Sequence, residues 1–211
     1  MDLQKKLKMH ILICLKNGYH KKGNCLDKKL SKISTRFKGL FVLKQNIFED
    51  ERGSFSRIYC HEELKEIDNI NIKQVNHSYS KEKGTTRGMH YQYNPDCEVK
   101  IIKCLKGSIF DVVIDIRKDS PTFLNYFSIE LSSENQEMIY IPKGFAHGFQ
   151  TLEDDTELLY LHSNTYTPDN EGALNINDPL LNISWPLDFT NISKKDLEHK
   201  FIDSTFKGIE I

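Results

Sequence analysis

A chain of 211 residues, 38% hydrophobic and 28% charged, is long enough to bury one proper core and is most simply read as one domain with trimmings. Its 29 basic and 30 acidic side chains nearly cancel, so nothing global argues for nucleic acid or an anionic membrane surface as a partner. The five cysteines (Cys14, Cys25, Cys60, Cys97 and Cys104) are odd in number and contain no C-x-x-C pair, which suggests neither a disulfide framework nor a zinc site and suits a reducing cytosol.

Residues 1–35 are rich in lysine and poor in acids, and are expected to form an appendage, either a loosely held helix or a disordered arm. Lys5, Lys6 and Lys8 precede the apolar stretch Ile11-Leu12-Ile13-Cys14-Leu15, but that run is short and is followed by Lys16 rather than a small-residue cleavage site, so export is not expected. No other stretch could span a bilayer, and the expected location is cytoplasmic.

From Phe37 onward the chain breaks into short β-type runs separated by turn signals. Residues 39–43 and 53–59 read as strands, with a brief helical stretch around residues 62–66 between this pair and the later ones. Residues 99–105 run into Lys106-Gly107, and residues 109–116 into Arg117-Lys118-Asp119-Ser120-Pro121, each apolar run being stopped by turn residues. Residues 127–131 alternate strictly, residues 138–141 end at Pro142-Lys143-Gly144, and residues 149–152 and 158–161 complete the series. Regular short strands without intervening helical periods predict an all-β sandwich or barrel of antiparallel strands. After a polar loop region over 164–177, Ser193-Lys194-Lys195-Asp196-Leu197 reads as a short capped helix near the C-terminus.

Two side chains stand out chemically. His90, in Thr86-Arg87-Gly88-Met89-His90-Tyr91-Gln92, is an imidazole beside a fixed cation, and Tyr160 is a phenol on a strand of alternating character. Together they make a proton acceptor and a proton donor, which points to an enzyme that moves protons. Each also has a plainer reading: His90 as a satisfied core or surface histidine, Tyr160 as a core aromatic with its hydroxyl at the rim, Lys100 as a solvated strand residue and Asp196 as a helix cap.

A β-barrel with His90 on one strand and His147 after the Pro142-Lys143-Gly144 turn invites comparison with cupins. Gly84, His90, Glu98 and Gly107 follow the first cupin motif and Pro142, Gly144 and His147 the second, but the second histidine of the first motif is Gln92, an amide with little affinity for a transition metal. The expectation is a jelly-roll barrel that binds no metal. Within the cupins the chain resembles the dTDP-4-dehydrorhamnose 3,5-epimerase family from about Phe37 to Asp203. The resemblance rests on Asp50-Glu51-Arg52-Gly53, Arg87-Gly88-Met89-His90-Tyr91-Gln92, Asp115-Ile116-Arg117-Lys118-Asp119-Ser120-Pro121-Thr122, Ile141-Pro142-Lys143-Gly144-Phe145-Ala146-His147-Gly148-Phe149, and the tail from Asp178-Pro179 to Trp185-Pro186.

That resemblance implies a fold domain over 36–211 and a cofactor-free epimerase of a nucleotide-linked 4-keto-6-deoxy sugar. The default is conversion of dTDP-4-dehydro-6-deoxy-D-glucose to dTDP-4-dehydro-L-rhamnose. It implies His90 as general base, Asp196 as its orienting carboxylate, Tyr160 as the acid on the opposite face, and Lys100 as the cation beside the developing oxyanion. For the substrate it implies Arg52 and Arg87 at the diphosphate, Gln74, Asn76 and Tyr166 as polar or stacking contacts, and His147 in the pocket. One departure is Arg57, where the family often carries a Glu shortly after the Arg-Gly motif; a changed sign there puts the nucleotide, the sugar or the placing of that contact in question. A homodimer is implied as well, with strands exchanged between subunits and residues 48–57 serving the neighbouring site. Three alternatives stand beside this reading: a single-site epimerase on another nucleotide sugar, a non-catalytic sugar-nucleotide-binding cupin, and a metal-dependent cupin oxygenase or isomerase.

Overall fold

The computed structural model describes residues 30–211; most of the expected appendage, including Cys14 and Cys25, lies outside the described residues. Among the described residues, fourteen strands and two short α-helices follow one another in chain order. The strands are β1 (Leu30–Ser34), β2 (Phe41–Gln45), β3 (Ile47–Asp50), β4 (Gly53–Ser56), β5 (Gln74–Ser80), β6 (Thr85–Gln92), β7 (Lys100–Lys106), β8 (Ser108–Asp115), β9 (Tyr126–Ser132), β10 (Glu137–Ile141), β11 (Phe145–Thr151), β12 (Thr156–His162), β13 (Glu171–Ala173) and β14 (Asn191–Ile192). Helix α1 (His61–Leu64) lies between β4 and β5, and α2 (Lys194–Glu198) follows β14. Among the described residues, no helix is long and apolar enough to cross a membrane.

The strands form two facing six-stranded sheets. The first has the order β1-β2-β10-β7-β12-β5; the second has the order β13-β6-β11-β8-β9, with β14 added alongside β6. All pairings within the sheets are antiparallel except that of β14 with β6. The expected all-β sandwich is therefore the observed architecture. The sheet begins earlier than the boundary expected at residue 35, because Leu30–Ser34 pairs in register with Phe41–Gln45.

Burial explains why the strand sequences read as they do. Ile102, Cys104, Ile139, Ile141 and Leu158 from the first sheet meet Ile109, Val113, Leu131, Phe145 and Phe149 from the second, and together they form the inter-sheet core. Their neighbours of opposite parity are buried too. On the outer side of the first sheet, Ile101, Met138, Tyr140 and Leu161 pack with Leu64 of α1. On the outer side of the second, Val112, Ile114 and Ala146 pack beneath Leu174, Ile176, Leu181 and Ile209 of the C-terminal segment. Central strands covered on both faces are largely apolar, which is why 109–116 carries no alternation, with Asp111 and Asp115 as buried exceptions. Each such side chain removed from water contributes roughly 1.5–3 kcal/mol before the entropy of ordering is subtracted.

Strand β5 was absent from the sequence reading. It is an edge strand whose residues are mostly exposed, in the order Gln74-Val75-Asn76-His77-Ser78-Tyr79-Ser80, so it carries neither an apolar run nor a buried alternating face. Among the described residues, the β3–β4 hairpin pairs only with itself.

The Asp115 to Thr122 motif is built around one buried carboxylate. Asp115 is fully buried and accepts hydrogen bonds from Arg117 Nε at 2.8 Å, Arg117 Nη2 at 2.6 Å, Ser120 Oγ at 2.6 Å and Thr122 Oγ1 at 2.6 Å. Burial alone would raise its pKa, but the bonds from Arg117, Ser120 and Thr122 outweigh it and the pKa lies below its ordinary value of 3.8. Replacement by Asn leaves a buried guanidinium without its charge partner and is expected to cost about 3–5 kcal/mol in urea unfolding. A carboxyl whose folded pKa is depressed stabilises fully above its unfolded value and ceases to do so as pH falls through the folded one. The gap between wild type and Asp115→Asn should therefore hold steady from neutrality down to about pH 4 and narrow below that; a gap that widens on acidification would contradict the assignment.

Candidate active site

Between the sheets, on the side of the barrel away from the apolar core, lies a cavity of about 620 Å³, within the range of small-molecule sites. Strands β5, β7 and β12 supply one wall and β6 and β11 the other. Register sets the first wall. His162 is paired with Lys100 on one side and with Gln74 on the other, while Tyr160 is paired with Ile102 and Asn76. Side chains two residues apart on a strand share a face, so Gln74, Asn76, Tyr160, His162 and Lys100 all point into the same space.

The second wall depends on a bulge. His147 pairs with His90 and Phe149 with Arg87, so two residues of β6, Gly88 and Met89, oppose the single Gly148 of β11. The extra residue breaks the alternation of β6 and lets Arg87 and His90, three residues apart, line the same cavity. Gly88 makes the bulge feasible: its φ of +138° disfavours any side chain, and a Cβ there would lie 2.5 Å from Gly148 Cα.

His90 Nε2 lies 2.8 Å from Asp196 Oδ1. The carboxylate accepts the Nε2–H, which leaves the lone pair of the neutral ring on Nδ1. Asp196 is buried and reaches His90 from the first turn of α2, where Ser193 Oγ accepts from the Asp196 backbone N–H at 3.0 Å. The capping role weighed for Asp196 thus falls to Ser193, and the Asp196 side chain is left free for His90. Burial opposes ionisation of Asp196, yet its hydrogen bond to His90, the His90 charge and Ser193 together hold its pKa below the ordinary value.

Tyr160 sits on the facing wall, its ring edge-on to His147 with centroids 6.2 Å apart and stacked on His162 at 5.9 Å and 8°. Burial pushes its phenol far above the usual tyrosine range; the Asp111 carboxylate adds to the rise and Arg87 opposes it. The hydroxyl is protonated throughout the physiological range and can donate. His147 is itself buried and held by Asp111 Oδ2 at 2.7 Å from Nε2. Lys100, also buried, donates from Nζ to the His90 carbonyl at 3.3 Å and faces Glu98 Oε1 at 3.4 Å.

At the mouth, Arg87 is exposed and among the described residues forms no ion pair. Tyr166, 52% exposed, hydrogen-bonds through its backbone N–H to Gln74 Oε1 at 3.0 Å and through its hydroxyl to Glu171 at 3.2 Å. Two residues expected at the substrate are not brought to the cavity of their own chain. Arg52, at the turn of the β3–β4 hairpin, is 84% exposed and paired with Asp50, and Arg57 pairs with Glu63 of α1 at 2.5 Å. Among the described residues, the hairpin pairs with no strand of either sheet, and both side chains lie outside the set that lines the cavity.

Among the described residues no cluster of three or more His, Cys, Asp or Glu side chains is arranged to hold a metal. Gln92, at the cupin ligand position, ties down a loop instead, donating to Asp96 O and Thr165 O and accepting from Thr167 N. Sequence reasoning missed the functional placing of Asp111, His162 and Glu171, and took Glu98 only as a loosely spaced cupin ligand. The signal available for His162 and Glu98 was their two-residue offset from Tyr160 and Lys100.

The dTDP-4-dehydrorhamnose 3,5-epimerase family model matches residues 34–204. The chain belongs to this family. It is 38% identical over 174 residues to the dTDP-4-dehydrorhamnose 3,5-epimerase of Salmonella typhimurium, covering 81% of this chain and 94% of that one. The fold superposes with a TM-score of 0.80 on dTDP-6-deoxy-D-glucose-3,5-epimerase from Legionella pneumophila, solved in complex with dTDP-4-keto-L-rhamnose, at 34% identity and covering 86% and 99% of the two chains. It superposes with a TM-score of 0.72 on ChmJ, a 3'-monoepimerase from Streptomyces bikiniensis solved with dTDP-quinovose, at 32% identity and covering 77% and 83%.

The bulge generates a direct test. Gly88→Ala forces a strained backbone worth about 1–3 kcal/mol and a collision with Gly148. Urea unfolding should show at least that loss, and the activity of the folded fraction should fall because Arg87 and His90 lose their common aim. Wild-type stability and rate in this variant would show that the close approach is not required.

Proposed function

We propose that this protein epimerises a nucleotide-linked 4-keto-6-deoxy sugar, with dTDP-4-dehydro-6-deoxy-D-glucose as substrate and dTDP-4-dehydro-L-rhamnose as product. The observation that carries this reading is the placing of His90 and Tyr160 on opposite walls of one cavity, with Lys100 buried beside His90.

A hydrogen on the carbon next to a ketone is too weakly acidic to leave unaided, but its removal places charge on the carbonyl oxygen. His90 Nδ1 takes that proton, the C–H electrons move into the new C=C bond, and the carbonyl electrons settle on oxygen as an enolate. Asp196 stabilises the imidazolium that forms. The Lys100 ammonium stabilises the enolate oxygen, an effect strengthened by exclusion of water. Tyr160 then delivers its proton to the opposite face, which regenerates the ketone with the centre inverted. Solvent returns His90 and Tyr160 to their starting forms, and the cycle repeats at the second carbon flanking the ketone. Arg87 takes the diphosphate, Tyr166, Gln74 and Asn76 contact nucleotide and sugar, and His147, fixed by Asp111, packs against Tyr160.

A second reading, inversion at one carbon only, is favoured specifically by the likeness to ChmJ, a 3'-monoepimerase. NMR of the sugar after turnover in heavy water separates the two readings by the number of positions exchanged. Comparison of dTDP-, CDP- and GDP-linked 4-keto sugars tests the nucleotide. Complete absence of exchange with every sugar would favour a binding protein instead. His90→Ala should lower the exchange rate by about 10²–10⁴-fold, and Tyr160→Phe should slow it or change which centres invert, with thermal unfolding of both close to wild type. Near-normal deuterium incorporation in both would reject the assignment.

We also propose that the protein works as a homodimer in the cytoplasm. The buried, unbridged thiols of Cys97 and Cys104 support a reducing compartment. For the dimer, the support is the edge of β5, which among the described residues is unpaired and carries the exposed Val75 and Tyr79, and the β3–β4 hairpin, which exposes Phe55 and Arg52. In this arrangement the hairpin crosses to the partner and brings Arg52 to its cavity. Arg52→Ala and His90→Ala proteins, each inactive alone, should then restore activity when unfolded together and refolded, because a mixed dimer has one cavity free of both lesions. No recovery in a mixture that scattering shows to be dimeric would overturn the exchange.

A further inference from the structure

Two cavity residues, Glu98 and His162, take no part in the proton transfers above. Both line the cavity and both are buried, their side chains 8% and 10% exposed. Removing a carboxylate from water is costly unless charge partners and hydrogen bonds replace the solvent, and here they do. Glu98 Oε2 lies 2.8 Å from His162 Nδ1, and Oε1 lies 3.4 Å from Lys100 Nζ.

Asn76 Nδ2 stands 3.4 Å from His162 Nε2 and donates to it. That leaves the imidazole neutral with its hydrogen on Nδ1, where it donates to Glu98. The carboxylate's charge is therefore directed at Lys100. An ammonium has three N–H groups; one is engaged by the His90 carbonyl and one faces Glu98, which leaves the third for a ligand in the cavity that Lys100 lines. At its other side the His162 ring lies flat on Tyr160, 8° from parallel. One buried link thus joins the cation that receives the enolate charge to the phenol that reprotonates the carbon.

We propose that Glu98 and His162 are positioning residues, acting as a unit that sets Lys100 and Tyr160 against the sugar. The proposal rests on the epimerase reading. A merely structural pair would affect folding or sugar affinity, whereas a positioning pair affects the chemical step. Misplacement of a reacting group by about 1 Å costs on the order of 10²-fold in rate. Glu98→Gln keeps the shape and removes the charge; His162→Phe keeps the stacked ring and removes the bond to Glu98.

The test is deuterium exchange into the substrate at saturating and sub-saturating concentrations, with wild type, both single variants and the double variant. The expected result is a kcat lower by about 10- to 100-fold in each single variant with KM within about threefold of wild type, and a double variant no slower than the worse single, as for residues acting as a unit. The two substitutions are separate lesions of the same link, so whichever variant folds suffices. The proposal is overturned by a kcat within about twofold of wild type, by a loss confined to KM, or by losses that multiply in the double variant. Wild-type protein that exchanges no deuterium would instead overturn the epimerase reading itself.

Discussion

The hydrogen bond from His90 to Asp196 joins the middle of a strand to a five-residue helix 106 positions later in the chain. To make it, the C-terminal segment must return across the outer face of the second sheet, and it does so by burying Leu174, Ile176, Leu181 and Ile209 over Val112, Ile114 and Ala146. Asn175 ties the same segment together, donating to the carbonyls of Leu197 and His199. The packing that closes the fold therefore also fixes which nitrogen of His90 keeps its lone pair. Loss of that packing would remove the base as well as the cover of the sheet.

The cavity is organised around buried carboxylates, each held by an imidazole or an ammonium. His90 has Asp196, His147 has Asp111, and Glu98 is shared by His162 and Lys100. Each pairing compensates the loss of hydration that a dry site imposes, and each fixes the direction of a proton or a cation. Arg87 at the mouth differs, because among the described residues no carboxylate neutralises it; it stands where an incoming anion would arrive. The interior is thus preorganised and the entrance is left with charge to spare, an arrangement suited to a diphosphate-bearing ligand whose reactive end must lie deep.

How much of this could be read from the sequence depended on what each residue's role leaves as a local trace. The central strands were legible because residues such as 109–116 are covered on both faces and stay largely apolar, with Asp111 and Asp115 as exceptions. The Ser193 cap was legible because its hydrogen bond is local. Strand β5 was not, since an edge strand facing a polar cavity has no apolar pattern to detect. The motif carrying His90, and the resemblance that implied Lys100 and Tyr160, marked residues that the structure does bring to one cavity, but no spacing rule announces that His162 pairs with Glu98 across 64 residues or that Asp111 supports His147. Those contacts exist only through strand register. Arg52 shows the opposite limit: its motif was legible, yet in a single chain its side chain, like that of Arg57, lies away from the cavity, on or beside a hairpin that among the described residues pairs with no other strand.

The central claim is that the sugar lies between the two walls with its reacting carbons exposed to His90 on one face and to Tyr160 on the other. A crystal structure of the protein with a dTDP-linked 4-keto sugar measures this directly. The account predicts the His90 Nδ1 and Tyr160 hydroxyl on opposite faces of the ring, the carbonyl oxygen within about 2.6–3.2 Å of Lys100 Nζ, and the diphosphate at Arg87. A sugar bound with both side chains on the same face, or with its ketone turned away from Lys100, would contradict it.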